Sequence, residues 1–134
     1  VVVTTPQEVS LIDAAKGVKM FETVKVPLLG IVENMSHFIC DGCDKKHYIF
    51  RQGGGKTLAD NFNIPLLGEV PIIPEVAEGG DSGIPIVMSN PESLASLAYK
   101  ALAGQVAAQL SINQANSGEK VSADFELAWD SDAK

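Results

Sequence analysis

Three short apolar runs, each bounded by residues that break regular structure, limit most strongly how this chain can fold. They are Val1–Thr4, Leu28–Val32 and Leu66–Val70, and the last two follow Pro27 and Pro65. Each run is too short for a helix, and it lacks the alternation of apolar and polar residues that is typical of a strand with one solvent-exposed face. Because helical patterns lie between the runs, the sequence predicts an α/β fold with a parallel sheet covered by helices on both faces.

Helix signals flank these runs. Thr5 and Glu8 have the spacing of a capping box around Pro6, and apolar residues at 9, 11, 12, 15, 18 and 21 predict one buried helix face. A second helix is expected to open at Gly53–Gly55 and to run through about Lys56–Phe62. A last helix is expected from Pro91, capped by Asn90, to about Leu110.

Two stretches between the third run and the last helix are expected to be loops at the carboxyl edge of the sheet. They are Pro71–Glu75 and Gly79–Pro85, which are rich in proline and glycine. Ligands of parallel sheets bind at this edge. Asn34 is expected to end the second strand there, where its amide could recognise a purine edge or simply form a turn.

Composition narrows the possible partners. The chain has 134 residues with 17 acidic and 10 basic side chains, a formal charge of −7, which argues against nucleic acid or an anionic membrane surface. Polar residues interrupt the most apolar stretch, Leu94–Leu110, so it reads as a buried helix and no membrane span is predicted. We expect one domain over residues 1–110 and an acidic, flexible tail over 111–134, where Phe125, Leu127 and Trp129 could dock.

Both cysteines of the chain lie in one loop. Cys40 and Cys43 flank Asp41-Gly42, and a turn with positive φ at Gly42 would point both sulfurs to one side. Such a pair supplies half of a zinc or iron–sulfur site in a reducing compartment. Three completions remain open: His37 and His47 of the same loop, the cysteines of a second copy, or an external ligand. A redox dithiol is a further alternative, although no helix start follows the pair.

The segment Gly53-Gly54-Gly55-Lys56-Thr57 looks superficially like a phosphate-binding loop. The Walker pattern would require glycine at position 50, where Phe50 stands, and a buried strand immediately before it. We therefore expect the glycines to allow close backbone approach and to begin a short helix.

Taken in order, several stretches resemble the carboxyl-terminal half of the Mrp (ApbC-type) family, deviant-Walker P-loop ATPases related to MinD and ParA. The resemblance covers about residues 1–110 and rests on T-T-P-Q, E-N-M-S, C-x-x-C and G-D-S-G-x-P, in that order. It implies a P-loop NTPase fold and a carrier or assembly scaffold for iron–sulfur clusters.

The resemblance also implies roles for particular residues. Cys40 and Cys43 match the family's cysteine pair, which implies a labile [4Fe–4S] cluster held between the two subunits of a homodimer and passed to apo iron–sulfur proteins. Asn34 matches the position near the adenine base. Independently of the resemblance, the residues leave open an alternative function, a zinc-stabilised binding module that uses the cysteine pair with His37 and His47. A cytoplasmic or organelle-interior location follows from the reducing chemistry.

One departure from the family pattern limits what these residues can do. The Walker A loop and an Asp-rich segment, which precede this region in relatives and would serve ATP and Mg²⁺, are not in the sequence. The chain is therefore expected to be the back half of a family member, with weak nucleotide binding at most and no ATPase activity.

Overall fold

A computed structural model describes residues 1–117 of the chain and the side-chain surroundings of residues 1–115. The strands are β1 (Val2–Thr4), β2 (Ile31–Ile39), β3 (Lys46–His47) and β4 (Leu66–Ile72). The helices are α1 (Glu8–Thr23), α2 (Gly54–Phe62), α3 (Pro74–Ser82), α4 (Ile86–Ser89) and α5 (Leu94–Ser117). The three apolar runs thus supply β1, the start of β2 and most of β4, and the expected α/β fold class is confirmed.

β2 is the central strand of the sheet. β1 pairs with it in parallel, Val2 opposite Ile31, and β4 pairs in parallel along its other side, Ile31 opposite Leu66. β3 was not predicted. It pairs antiparallel to the far end of β2, beyond β1, and makes the sheet mixed.

Helices cover both faces of the sheet, as the unbroken apolar runs predicted. On one face α1 and α2 pack around Val18, Ile31 and Leu58, each at most 5% exposed. On the other face α5 packs its Tyr99, Leu102 and Val106 against Val32, Leu67 and Val70. Successive residues of β2 thus feed opposite cores, as the pleat requires.

The start of α1 differs from the expected capping box. The helix begins at Glu8 with Gln7 as its N-cap, and the Gln7 side chain makes no capping hydrogen bond within the described part of the chain. Pro6 is fully buried and draws the preceding chain into the core. The buried Thr5 hydroxyl has no hydrogen-bond partner within residues 1–117, so it does not act as the predicted cap. Val9 and Ile12, assigned to the buried face, are 75% and 50% exposed.

The glycines that open α2 behave as the sequence predicted. A Cβ on Gly54 would lie 2.8 Å from Leu11 and 3.1 Å from the Pro6 backbone. A Cβ on Gly55 would lie 2.8 Å from that of Glu33. These contacts let α2 press against the start of α1 and against β2 at once.

The second half of the chain is more helical than expected. Pro74 begins α3 at its first turn, and both Gly79 and Gly80 lie inside that helix, where the sequence predicted loops. Gly83, with φ of 72°, ends the helix, and the N–H of Ile84 donates to the carbonyl of Gly79 at 2.8 Å. This left-handed C-terminal cap is what permits a helix in so glycine-rich a segment.

The last helix is shifted relative to its prediction. α5 begins at Leu94, and the Ser93 hydroxyl, in place of Asn90, accepts the N–H of Ser96 at 3.1 Å. The helix continues past Leu110 to Ser117. The rest of the predicted tail, including Phe125, Leu127 and Trp129, lies outside the described residues. Within residues 1–117 no helix is both long and apolar enough to cross a bilayer.

Candidate metal centre

The cysteine loop is the tip of a hairpin formed by β2 and β3. The N–H of Cys40 donates to the carbonyl of Lys45 at 3.0 Å, which closes the loop immediately beyond the strands. Inside it, the carbonyl of Cys40 accepts the N–H groups of Cys43 at 3.3 Å and Asp44 at 2.9 Å. The left-handed residue is Asp44, with φ of 56°, and not Gly42 as expected. The turn that brings the two cysteines together thus lies between them, and the left-handed residue that ends it is Asp44.

Three metal-binding side chains meet at this tip. One ligand atom each from Cys40, Cys43 and His47 lies within 4.8 Å of the others. Cys40 is half-buried, while Cys43 and His47 are exposed. Both cysteines are free thiols. The cysteine pair predicted from sequence is thus assembled, and His47 joins it.

The backbone around Cys40 favours its thiolate. The N–H of Gly42 does most to lower the pKa of the Cys40 thiol, and the thiol and N–H of Cys43 lower it further. Desolvation and the carboxylate of Asp41 act in the opposite direction, but the net shift is downward. A metal ligand must be deprotonated, so these donors prepare Cys40 for coordination.

His37, the other histidine considered for this site, lies apart from it. Its side chain is 8% exposed, and Nδ1 is 2.8 Å from the Ser36 hydroxyl, which also donates to the carbonyl of Val70 at 3.2 Å. Burial lowers the pKa of His37, and the charge of Lys46 lowers it further. The two histidines therefore do not join the cysteines in one four-ligand site, because the His37 ring is buried in the sheet and hydrogen-bonded to Ser36.

A groove borders the half-buried sulfur. It has a volume of about 380 Å³ and runs from Cys40 and Asp44 to the β4–α3 junction and the start of α5. Ile72, Ile86 and Leu94 line it with apolar surface, and Glu75 adds a carboxylate. Cys40 thus borders a concave surface of the same chain.

Asn34, the residue considered for purine recognition, lies inside β2 and not at its end. It pairs with Val70 of β4, and its side-chain oxygen accepts the N–H of Met35 at 3.0 Å. Met35 has φ of 56°, and the β2–β4 register shifts between Asn34 and Phe38. The strand therefore bends at Asn34 and resumes toward the cysteines.

Sequence reasoning missed Glu33, which is 1% exposed and adjacent to Asn34. Its carboxylate accepts the N–H of Gly55 in the first turn of α2. Burial raises the pKa of Glu33, the Gly55 hydrogen bond lowers it, and Glu69 raises it, with a net upward shift. An N–H at the start of α2 is thus already used by a carboxyl oxygen of the protein, which agrees with rejecting Gly53–Thr57 as a phosphate loop. A carboxyl residue directly after the apolar run Leu28–Val32 was the available signal.

Comparisons with known proteins agree with this architecture. A family model described as "ParA: NUBPL iron-transfer P-loop NTPase" matches residues 1–107. The "Iron-sulfur cluster carrier protein" of Escherichia coli K12 is 52% identical over 110 residues, which cover 82% of this chain and 30% of that protein. The Arabidopsis thaliana "Iron-sulfur protein required for NADH dehydrogenase, mitochondrial" is 45% identical over 106 residues, 79% of this chain and 34% of the relative.

A solved structure shows the same relationship in three dimensions. The Pyrococcus horikoshii septum site-determining protein MinD, complexed with Mg-ADP, superimposes with a TM-score of 0.60 at 25% identity, covering 82% of this chain and 42% of the other. The chain spans roughly a third of the length of the curated relatives it matches. The expected resemblance to this group of proteins is confirmed.

Proposed function

Because this chain belongs to the NUBPL iron-transfer P-loop NTPase family, we propose that it carries an iron–sulfur cluster and delivers it to apo iron–sulfur proteins. The observation that carries the proposal is the pair of free thiols, Cys40 and Cys43, on a hairpin tip that is open to solvent. Relatives named as iron–sulfur cluster carriers support the same role. The location proposed is the bacterial cytoplasm or an organelle interior, since relatives include a mitochondrial protein.

The cluster is proposed to be a [4Fe–4S] centre shared by two copies of the chain. Two thiolates coordinate only two of the four irons. A two-fold axis between the hairpin tips of two copies would supply the other two thiolates. Cys43 is exposed, so its sulfur is accessible to a second copy and to an incoming acceptor thiolate. Accessible ligands make a cluster exchangeable, which is what delivery requires.

ATP and Mg²⁺ are proposed to act on the longer protein. Asn34, close to the bend in β2, would face the adenine base, with its side-chain nitrogen as donor while its oxygen stays on the N–H of Met35. The Gly53–Thr57 segment does not supply a phosphate site, since Glu33 already accepts from Gly55. We therefore expect the 134 residues alone to bind nucleotide weakly and to hydrolyse none.

Anaerobic reconstitution tests the proposal. Loading with iron and sulfide should give brown protein with about four irons per two chains and a dimer on gel filtration. Cys40→Ser and Cys43→Ser should each remove both colour and dimer, because each deletes two of four ligands. Lys45→Gln, in the same loop, is the matched control and should retain them.

Transfer provides the second half of the test. Apo-ferredoxin incubated with the loaded chain should gain its cluster in the presence of an iron chelator, which excludes free iron as the intermediate. A chain that stays colourless and monomeric after loading would overturn the proposal.

A further inference from the structure

The three donors at the hairpin tip belong to a single chain. Cys40, Cys43 and His47 lie within 4.8 Å of one another without any contribution from a second copy. A cluster shared between copies uses the two thiolates and leaves the imidazole unexplained. His47 therefore calls for a separate account.

Backbone pairing fixes where His47 stands. It lies opposite Phe38 in the β2–β3 ladder, and its neighbour Lys46 lies opposite Ile39. The next bond of the ladder joins Cys40 to Lys45, so one short antiparallel ladder fixes the backbone under Cys40 and His47. The position of the imidazole relative to the sulfurs thus follows from the hairpin register and not from a chance side-chain contact.

The spacing of the donors suits one tetrahedral ion. Zinc binds thiolate at about 2.3 Å and imidazole at about 2.0–2.1 Å, so neighbouring ligand atoms stand roughly 3.5–3.8 Å apart. The observed limit of 4.8 Å is about 1 Å wider, a gap that rotation of exposed side chains can close. Two thiolates with one imidazole form a donor set preferred by borderline-soft divalent ions.

We propose that one copy of this chain binds a single divalent ion of the zinc class through Cys40, Cys43 and His47, with a fourth position open to water or an external thiolate. Three protein ligands with one open position characterise sites that exchange or activate a ligand, in contrast to closed four-ligand structural sites. The two thiols release their protons to solvent as the ion binds. The inference goes beyond the proposed function, since it requires neither a second copy nor sulfide.

The charges around the tip are compatible with a cation. Asp41 and Asp44 lie within the loop and Glu75 lies across the groove, while Lys45 and Lys46 follow the cysteines. His37 does not compete for the ion, because its ring is buried and bonded to Ser36. The ligand set is thus limited to one imidazole, which makes the site testable by a single substitution.

Cobalt(II) titration of the 134-residue chain under argon provides that test. We expect one cobalt per monomer, with thiolate-to-cobalt charge-transfer absorption and the intense visible bands of tetrahedral coordination. His47→Gln should weaken cobalt binding at least about tenfold and alter the visible bands. His37→Gln is the matched control for a histidine outside the donor group, and Lys46→Gln controls for a change on β3; both should retain wild-type affinity and spectrum.

X-ray absorption of the zinc-loaded wild type gives a readout that does not depend on variants folding. Two sulfur and at least one imidazole scatterer per zinc are expected. Cobalt affinity and spectrum unchanged in His47→Gln, or four sulfurs around each zinc, would overturn the inference. Either result leaves the carrier proposal intact if a cysteine-dependent cluster still forms. Conversely, loss of cluster formation with intact His47-dependent cobalt binding overturns only the carrier proposal.

Discussion

Two glycine-containing turns of this chain look alike as candidate ligand sites but differ in what the fold leaves free. At Gly53–Gly55 the helix start is filled by the protein itself, because the carboxylate of Glu33 accepts the N–H of Gly55. At the cysteine turn, backbone donors instead face the sulfur of Cys40, and Cys43 is exposed. A motif can serve a ligand only if the fold has not already used its polar groups. The first turn is therefore occupied by the protein's own hydrogen bond, whereas the second keeps two free thiols.

The largest expected effect that separates the two turns comes from Gly55→Ala. The new Cβ would lie 2.8 Å from the Cβ of Glu33, so the α2–β2 contact must open. We expect a loss of about 1–3 kcal/mol in the free energy of unfolding, measured by urea denaturation, with cobalt binding at the hairpin retained. Gly80→Ala is the matched control. Gly80 lies in α3, a Cβ there would meet no atom of the described residues within 4 Å, and the variant should gain up to about 1 kcal/mol in stability. Equal changes in the free energy of unfolding for Gly55→Ala and Gly80→Ala would show that the close contact at Gly55 does not stabilise the fold.

A smaller, pH-dependent effect is expected from Glu33→Gln. Burial raises the pKa of Glu33 above its ordinary value of 4.5, so folding favours the protonated form. The stability supplied by this group is complete below the unfolded-state pKa and is lost as the pH rises through the folded-state pKa. Glutamine stays neutral and can still accept the N–H of Gly55. The variant should therefore gain stability relative to wild type as the pH rises above the ordinary pKa of a glutamate side chain.

Urea denaturation at several pH values checks this expectation, with Glu92→Gln at an exposed position as the control for lost charge. If the wild type instead became more stable than Glu33→Gln as the pH rises, the ionised carboxylate and not the protonated form would stabilise the start of α2.

The smallest effect is expected at Asp44, the left-handed residue of the cysteine loop. Asp44 has φ of 56°, which glycine adopts without strain, so Asp44→Gly should be neutral or slightly stabilising. Asp44→Val should cost about 1–2 kcal/mol in loop stability. Hydrogen exchange of the Cys40 amide, bonded to Lys45, reports this locally. Faster exchange in the glycine variant than in the valine variant would contradict the proposed role of this backbone conformation.

The parallel part of the sheet could be predicted because burial on both faces leaves an unbroken apolar run, as in Leu28–Val32. The close approach at Gly54 and Gly55 could be predicted because three consecutive glycines have few other uses. The continuation of β2 past Asn34 could not, since a positive φ at Met35 and a register shift interrupt the pattern there.

The choice between the two histidines and the existence of α3 could not be predicted from the sequence either. His37 and His47 both lie within four residues of a cysteine, so the sequence does not choose between them. The pairing of β2 with β3 and β4 decides which one is buried and which one reaches the thiols. α3 was missed because Gly79 and Gly80 disfavour a helix locally, while Pro74 at its start and Gly83 at its end favour one. Strand pairing between distant residues thus decides between the histidines, whereas in α3 the signals at the two ends outweigh the internal glycines.

Phe38 is paired on both sides, with His47 of β3 and Ile72 of β4, only two residues before Cys40. The base of the hairpin is thus held by strands on both sides, whereas Cys43 at its tip is exposed. Under the proposed carrier function, an acceptor protein would meet a loop whose base is already held by paired strands, so less conformational entropy would be lost on binding.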